Sequence, residues 1–297
     1  MNKVPEARSL VVGANGQVGR ALLRVLGPAA LPAGRSAHED GWVQCDLAQC
    51  AHDPDAAARA LHGLNLSAIY CVGGATDVER CEIDIPWAME TNCDGPAALA
   101  RASKGLPFVF FSTDYIFDGV AGPYDEQAPT NPLSVYGRSK LLGEQAVLAA
   151  RPDALIIRTS VVYGYDAQRK NFLYTLSRLL RAGTPMRIAD DQISSPTYNE
   201  DLARATVALM DRGHHGIFNV VGPEVMSRFD FALLGADVLG LDRSLLSPLK
   251  TSELNQRAAR PLASGMKIGK LQAALPDVPM RLNAEGIRAW QQQEPPA

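Results

Sequence analysis

The sequence predicts an α/β fold in which a doubly wound parallel sheet is joined to a smaller, mainly C-terminal domain. Short apolar segments alternate with amphipathic helical patterns through the first half of the chain, which is the rhythm of βαβ units. Two of these segments, SAIYCVGG and PFVFFST, are apolar over most of their length, as expected for parallel strands covered on both faces. A turn with three glycines follows the first strand. Together these features indicate a Rossmann-type sheet.

The elements of the first half are assigned in order from these patterns. SLVVGA is the first predicted strand, and QVGRALLRVLG is a helix closed by Gly27. The second strand is expected to end near residue 33 and the third near Asp46. An interrupted helix, PWAMETNCDGPAALARASKG, follows SAIYCVGG, and the helix LSVYGRSKLLGEQAVLAAR follows PFVFFST. ALIIRTSVVYG is predicted to be a single strand.

Beyond about residue 165 the alternation loosens. NFLYTLSRLLRAG and DLARATVALMD are predicted helices, GIFNVVGP is a short strand, and SRFDFALLGADVLG is a helix N-capped by Ser227. No glycine- or serine-rich linker separates the halves, so we expect a cleft between packed lobes. The larger domain is predicted to cover residues 1–165 with parts of 186–222, and the smaller one 166–185 and 223–297.

The composition excludes several classes of protein. A net charge of −3 over 297 residues gives no overall positive field for nucleic acid or an anionic membrane. No apolar run reaches the roughly 18 residues of a membrane span, and the first residues lack signal-peptide features, so we expect a cytoplasmic protein. The cysteines form neither a CxxC pair nor a Cys/His cluster, which predicts free thiols and no metal site: Cys45, Cys50, Cys71, Cys81 and Cys93.

The glycine turn GANGQVG carries the first functional signal. Gly13, Gly16 and Gly19 stand between the first strand and the first helix. Glycine allows a sharp turn there and lets a diphosphate approach the N-terminus of the helix. The GxxGxxG spacing differs from the GxGxxG dinucleotide fingerprint, and three glycines in such a turn can also be purely structural. Its place after the first strand nevertheless predicts that the larger domain binds a dinucleotide.

The residues after the second strand favour NADPH, with NADH as an alternative. A carboxylate that would bind the ribose of NAD is missing, and Arg35 and Ser36 stand in its place. Arginine can pair with a 2′-phosphate through charge-assisted hydrogen bonds, although an exposed loop arginine is the simpler interpretation. Asp46 and Leu47, in QCDLA, fall where the third strand ends and are predicted to meet the adenine edge.

Tyr136 and Lys140, in NPLSVYGRSKLLGE, form a YxxxK pair. Residues i and i+4 of a helix share a face, so both side chains are expected to point the same way. An ammonium group near the phenol stabilises the phenolate and lowers the tyrosine pKa. The pair can then exchange a proton with a carbonyl oxygen and hold a nicotinamide ribose.

Two hydroxyl groups strengthen this interpretation. Ser112 and Thr113 lie at the carboxyl end of the predicted strand PFVFFST, which is the edge of an α/β sheet where ligands bind. A hydroxyl group there can hydrogen-bond the carbonyl of a substrate. Because the glycine turn, these hydroxyls and YxxxK occur in this order, we predict an NAD(P)-dependent oxidoreductase.

In these motifs the chain resembles the extended short-chain dehydrogenase/reductase superfamily, and within it the dTDP-4-dehydrorhamnose reductase family. The resemblance covers most of the chain. It is carried above all by FFSTDYIFDG followed by NPLSVYGRSKLLGE, and also by GANGQVG, GGATDVERCE, the Asn92 of METNCDGPAALA, RTSVVYG, DDQISSPTYNEDLA and ARPLASGMKIGKL.

The resemblance implies roles for particular residues. Thr113, Tyr136 and Lys140 would be catalytic, and the last two would also contact the cofactor. Asp114 and Tyr115 would lie beside the sugar, although each can equally be a structural residue. The remaining cofactor contacts implied are the diphosphate cradle and the nicotinamide side: Gly13, Asn15, Gly16, Gln17, Val18, Gly73 and Gly74.

The chain departs from the family on the substrate side. Ala75 stands where relatives often have an aromatic residue, and Val161 stands where rhamnose-forming enzymes have a tryptophan near the sugar. Both are predicted to contact the substrate. Bacterial members that dimerise through magnesium have an acidic residue after the glycine turn, whereas this chain has Arg20 and Ala21.

The resemblance implies a reductase of a keto group on a nucleotide-activated deoxysugar, with the smaller domain binding that substrate. A sugar-nucleotide epimerase is one alternative. A non-catalytic, dinucleotide-binding regulatory subunit, as in the branch that binds the methionine adenosyltransferase catalytic subunit, is another. We expect no nucleic-acid or membrane partner, and a homodimer is an open alternative.

Overall fold

The computed structural model describes residues 7–36, 40–53 and 55–293. The strands within these residues are β1 (Arg8–Val12), β2 (Ala30–Gly34), β3 (Val43–Gln44), β4 (Leu66–Cys71), β5 (Phe108–Thr113), β6 (Leu155–Thr159), β7 (Val162–Tyr163), β8 (Met186–Ala189), β9 (Ile193–Ser194), β10 (Thr197–Tyr198), β11 (Gly216–Asn219), β12 (Met226–Ser227) and β13 (Leu246–Leu249).

Seven of these strands form one parallel sheet in the order β11-β6-β5-β4-β1-β2-β3. The direction of winding reverses between β1 and β4, so the crevice outside the carboxyl ends of these two strands is the switch point where such sheets bind ligands. The predicted doubly wound fold is confirmed.

Helices cover both faces of the sheet. They are α1 (Gln17–Leu26), α2 (Leu47–His52), α3 (Ala56–Leu61), α4 (Val78–Ile83), α5 (Ile85–Met89), α6 (Gly95–Ala102), α7 (Val135–Ala150), α8 (Phe172–Arg181), α9 (Asn199–Asp211), α10 (Arg228–Leu239), α11 (Gly269–Ala274) and α12 (Asn283–Gln293). As predicted, Gly27 ends α1, with its φ at 55°, and the Ser227 side chain caps α10.

The alternation along β5 shows why a continuous apolar strand is needed. Phe108 and Phe110 join the core cluster on the side of α6 and α7, and Val109 and Phe111 join the cluster on the side of α1 and α9. Successive side chains of a strand point to opposite faces, so a strand in the middle of this sheet must be apolar at every position. The two hydroxyl-bearing residues, Ser112 and Thr113, come only at the carboxyl end of the strand.

A third apolar cluster belongs to the smaller lobe. It joins side chains of α8, α10 and α12, including Leu176, Phe231 and Trp290. β8 and β13 pair beside it. β11 instead extends the edge of the large sheet, and α9 packs against α1, so the segment 186–222 contributes to both lobes. The domain boundaries stay a prediction.

The prediction of a single strand for ALIIRTSVVYG is wrong. β6 ends at Thr159, and β7 leaves the large sheet to pair with β10. Between them Val161 has a φ of 39°, a left-handed conformation that is unfavourable for a β-branched residue. Ser160 donates a hydrogen bond of 2.8 Å to the buried Asp114 carboxylate. This long-range bond fixes the turn, which strand propensity does not reveal.

Candidate active site

A cleft of about 520 Å³ opens at the switch point, between the carboxyl ends of the central strands and the smaller lobe. It brings together most of the residues predicted from the sequence. Those that line it are Gly13, Asn15, Gly16, Gln17, Val18, Gly73, Gly74, Ser112, Thr113, Asp114, Tyr115, Tyr136, Lys140 and Val161.

The glycine turn is shaped by close backbone contacts. Gly13 has a φ of 91°, and a Cβ added to it would lie 2.5 Å from the backbone nitrogen of Gly73. A Cβ at Gly19 would collide with the Gly13 carbonyl. The turn therefore packs directly against the loop after β4, and larger residues would separate the two.

The N-terminus of α1 faces the cleft without a side-chain cap. Gly16 is the N-cap residue and offers no side-chain acceptor, and no acidic residue lies in the first turn. The first N–H groups of a helix lack intrahelical partners and carry a partial positive charge. The cleft end near Gly16 is therefore suited to an anion such as a diphosphate.

The Gln17 side chain has a structural use. Its Nε2 donates to the Val162 carbonyl at 3.1 Å, and its Oε1 accepts from Asn171 Nδ2 at 3.2 Å. These bonds brace the cofactor side of the cleft against the segment after β6. Only the Gln17 backbone is left to meet a diphosphate.

Asn92 positions the loop that contains Gly74 and Ala75. It lies in a π-helical turn, Glu90–Asp94, between α5 and α6. Its side chain accepts from the Ala75 N–H at 2.8 Å and donates to the Ala75 carbonyl at 3.0 Å. A Cβ at Gly74 would lie 2.8 Å from Asn92 Oδ1. Such turns are frequent at functional sites.

Ala75 does not line the cleft. It is fully buried and packs in a small cluster with Cys81 and Ala88, behind Tyr136. The bonds to Asn92 hold its backbone in that place, and its side chain exposes no surface to the cleft. The structure therefore gives the predicted substrate contact at Ala75 no support.

Tyr136 and Lys140 lie one turn apart at the start of α7, whose N-cap is Ser134. Both side chains line the cleft. The Lys140 side chain is only 6% exposed, and its ammonium lies 4.2 Å from the centre of the Phe110 ring. Burial lowers the pKa of Lys140 to about 8. A small change of surroundings therefore decides whether this amine is charged near neutral pH.

The expected lowering of the Tyr136 pKa by Lys140 is absent from this structure. Burial raises the pKa of Tyr136 above its usual value, and a hydrogen bond with Thr113 opposes the rise only in part. The ammonium group of Lys140 lies over the Phe110 ring, and burial disfavours its charged form. The tyrosine is therefore held as a neutral phenol, which is the form that can give away a proton.

Thr113 and Asp114 form a buried hydrogen-bond network at the end of β5. Asp114 is 3% exposed. Thr113 Oγ1 donates to its Oδ1 at 3.2 Å, and Ser160 and Ser264 donate to its Oδ2 at 2.8 and 2.6 Å. Burial raises the pKa of the Asp114 carboxyl, and these bonds oppose that rise. Asp114 thus links the sheet to a segment of the smaller lobe.

Tyr115 lies between the proton-bearing residues and the smaller lobe. Its ring contacts the Tyr136 ring edge-on, with centres 5.4 Å apart. Its hydroxyl accepts a hydrogen bond of 2.8 Å from Arg260, whose guanidinium also forms an ion pair of 2.8 Å with Glu79. Arg260 lies in ARPLAS, a segment that the resemblance had marked, but its contact with Tyr115 spans 145 residues.

The predicted adenine and 2′-phosphate residues lie outside this cleft, toward β2 and β3. Arg35 is exposed just beyond β2, and Ser36 is half-buried. The Asp46 carboxylate accepts from the Ala48 N–H at 3.0 Å and caps α2. Leu47 is buried against Gly73. Asp46 and Leu47 therefore have clear structural uses, and their contacts with adenine stay a prediction.

Arg228, at the start of α10, is a cleft residue that sequence reasoning missed. The sequence marked only its neighbour Ser227, as a helix cap.

The five cysteines are free and buried. Over the described part of the chain, no group of three His, Cys, Asp or Glu residues is placed to hold a metal ion. No helix in that part is long and apolar enough to cross a membrane.

The doubly wound sheet and this cleft define a protein of the extended short-chain dehydrogenase/reductase class. The chain belongs to the family of the RmlD substrate binding domain, whose model matches residues 7–290. The predicted resemblance is confirmed.

Named relatives are similar over most of their length. The dTDP-4-dehydrorhamnose reductase of Mycolicibacterium smegmatis is 35% identical over 260 residues, 86% of this chain and 76% of that protein. The Bacillus anthracis dTDP-4-dehydrorhamnose reductase, solved in complex with NADP, is 28% identical with a TM-score of 0.87, covering 97% of this chain and 100% of that one. Methionine adenosyltransferase 2 subunit beta of Danio rerio is 29% identical over 278 residues, 90% of this chain and 85% of that protein.

Proposed function

We propose that the protein is an NADPH-dependent reductase of a keto group on a nucleotide-activated deoxysugar, of the dTDP-4-dehydrorhamnose reductase type. The observation that carries the proposal is the cleft itself. It joins Thr113, Tyr136 and Lys140 to an uncapped helix N-terminus behind the glycine turn.

The residues of the cleft fit a dinucleotide. The open N–H groups of α1 suit its diphosphate, and Gly13, Gly16 and Gly73 line the cleft without side chains. When bound, the nicotinamide supplies the hydride that reduces the carbonyl carbon. Lys140 is placed beside Gly74 to hold the nicotinamide ribose, because a Cβ at Gly74 would lie 3.7 Å from Lys140 Nζ.

Tyr136 gives its proton to the carbonyl oxygen as the hydride reaches the carbon, so that a hydroxyl group forms. General acid catalysis of this kind contributes about 10²–10⁴-fold. Thr113 orients the carbonyl. In the structure its hydroxyl donates to Asp114. Thr113 can donate to the substrate in two ways. Either it gives up its bond to Asp114, or Asp114 carries a proton and donates to Thr113.

Incubation with NADPH and a panel of keto-sugar nucleotides that includes dTDP-4-dehydrorhamnose tests this proposal. In wild type we expect NADPH absorbance to fall in step with formation of the sugar nucleotide that carries a new hydroxyl group. In Tyr136→Phe we expect neither change. Interconversion of sugar isomers without net consumption of NADPH would favour the epimerase alternative.

The similarity to the Danio rerio protein is the observation that favours the second alternative, a regulatory subunit. The arrangement of Tyr136 and Lys140 over one cleft favours turnover, because a regulatory protein needs no proton donor there. NADPH binding without turnover of any keto-sugar nucleotide, together with binding to a methionine adenosyltransferase catalytic subunit, would support the regulatory role. The homodimer and the cytoplasmic location stay predictions, and light scattering after size exclusion measures the former.

A further inference from the structure

Two buried hydroxyl groups of the cleft have no hydrogen-bond partner among the described residues. They belong to Ser112 on β5 and Thr159 on β6. Hydroxyl groups buried in a folded protein are normally hydrogen-bonded. Thr206 in α9 is an example, since its Oγ1 donates to the Leu202 carbonyl at 2.7 Å. A buried hydroxyl without a partner, in a cleft suited to ligands, points to an atom that a ligand supplies.

Thr159 is the neighbour of Thr113 across the sheet. The register of β5 and β6 pairs the two residues, so their side chains project from the same face. The residues two places earlier agree with this, because Phe111 and Ile157 join the same apolar cluster. Thr159 is half-buried and lines the cleft. Its Oγ1 is covered, but one staggered rotation about the Cα–Cβ bond brings the hydroxyl to the place of the methyl group.

The hydroxyl of Thr113, by contrast, is fully used. It donates to Asp114 Oδ1 at 3.2 Å and accepts from the Tyr115 N–H at 3.3 Å. It also forms the hydrogen bond with Tyr136. A hydroxyl group has one hydrogen to donate and two lone pairs that accept, so Thr113 has no capacity left for a ligand. The hydroxyl of Thr159, beside it, keeps its whole capacity.

We propose that Thr159 is a further ligand-binding residue, whose hydroxyl donates a hydrogen bond to a carbonyl oxygen beside Tyr136; this inference rests on the proposed function. Two groups in such a reaction bring a carbonyl oxygen close to the reacting carbons. They are the keto group of the sugar and the carboxamide of the nicotinamide. Thr159 can bind either of them while the bond between Thr113 and Asp114 stays in place.

Thr159→Val tests the assignment, because valine keeps the shape of threonine and removes the hydroxyl. Two measurements distinguish the two carbonyl groups: fluorescence titration with NADPH alone, and kcat/KM for an accepted keto-sugar nucleotide at saturating NADPH. We expect a fall of about 2- to 10-fold, as for one neutral hydrogen bond. Weaker NADPH binding assigns the bond to the carboxamide. A lower kcat/KM with unchanged NADPH affinity assigns it to the keto oxygen.

Further measurements separate this role from a structural one. Thr159→Ser keeps the hydroxyl and should retain most of the binding and turnover. Adenosine 2′,5′-bisphosphate, which lacks the nicotinamide, should bind equally to all forms. Because Thr159→Val removes a hydroxyl that has no partner in the described residues, the free energy of unfolding should hold or rise. The matched control Thr206→Val removes a partnered hydroxyl, so it should lower the free energy of unfolding and leave NADPH binding and turnover as in wild type.

Unchanged NADPH affinity together with unchanged kcat/KM in Thr159→Val would overturn the inference. An equal loss in Thr159→Ser would overturn it too, because the hydroxyl would then not be the group that matters. Absence of turnover with every keto-sugar nucleotide would contradict the proposed function. The NADPH titration then decides the inference alone, and unchanged affinity in Thr159→Val overturns it.

Discussion

The two walls of the cleft are built in different ways. The cofactor wall consists of contiguous motifs: GANGQVG turns into α1, and Tyr136 and Lys140 lie one turn apart on α7. The substrate wall is assembled from distant segments. Asp114 bonds Ser160, 46 residues away, and Ser264, 150 residues away. The main motifs of the first wall are local in sequence, although contacts such as Gly13 with Gly73 join them, whereas the second wall depends on tertiary packing throughout. Changes to the two should therefore have different signatures.

The largest effect is expected on the cofactor wall, at Tyr136, the proposed proton donor. Tyr136→Phe removes one oxygen, so the fold and NADPH binding should persist while turnover falls by about 10²–10⁴-fold. Steady-state kinetics with an accepted keto-sugar nucleotide, beside a titration with NADPH, measures both. Turnover close to that of wild type would remove Tyr136 from the mechanism.

Lys140 tests whether burial on this wall disfavours the charged form of an amine. Its pKa falls from 10.5 to about 8 on folding. The unfolded chain therefore binds more protons between these values, and stability should rise with pH from about 8 to 10.5. Below pH 8 the buried ammonium lowers the free energy of unfolding by about 3 kcal/mol. Lys140→Met should remove both this destabilisation and the rise of the free energy of unfolding with pH. Denaturant unfolding at several pH values measures both.

The matched control for this experiment is Lys104→Met, which removes an exposed lysine and should leave the slope of wild type in place. In activity assays, kcat/KM should fall as pH rises through about 8, since Lys140 then loses the charge that holds the ribose. A pH-independent stability difference between wild type and Lys140→Met would contradict the burial argument.

Arg35 tests how far the cofactor wall extends. Arg35→Ala should weaken NADPH binding by one to two decades and NADH binding much less, because a charge-assisted hydrogen bond contributes roughly 1.5–3 kcal/mol. Fluorescence titration with each cofactor measures the two affinities. An equal loss for both would show that Arg35 does not contact the 2′-phosphate.

The smallest effect is expected on the substrate wall, at the strained turn. Asparagine tolerates the left-handed region better than valine, so Val161→Asn should relieve strain worth about 1 kcal/mol or more, offset in part by the loss of apolar contact. The melting temperature should hold or rise slightly. Val162→Asn, in the neighbouring strand β7, is the control and should lower it. Equal destabilisation by both variants would mean that Val161 stores no strain.

The same contrast explains what the sequence could predict. The glycine turn, the YxxxK pair and the buried strand β5 depend on neighbours in the chain, and the structure brings their residues to one cleft. The turn at Val161 and the burial of Ala75 depend on Asp114 and Asn92, whose partners are distant in sequence. Arg228 left no signal in the sequence, because its place in the cleft depends on how the smaller lobe packs against the sheet.

The Asp114 network has a consequence for motion. Many enzymes with two lobes open by swinging one lobe away from the other. Here such a swing would pull Ser264 from the Asp114 carboxyl group and leave this buried group with fewer hydrogen-bond partners, at a cost of about 1–3 kcal/mol. A swing of the whole lobe should therefore be unfavourable in this protein, and the floor of the cleft beneath Asp114 should stay closed while a ligand enters.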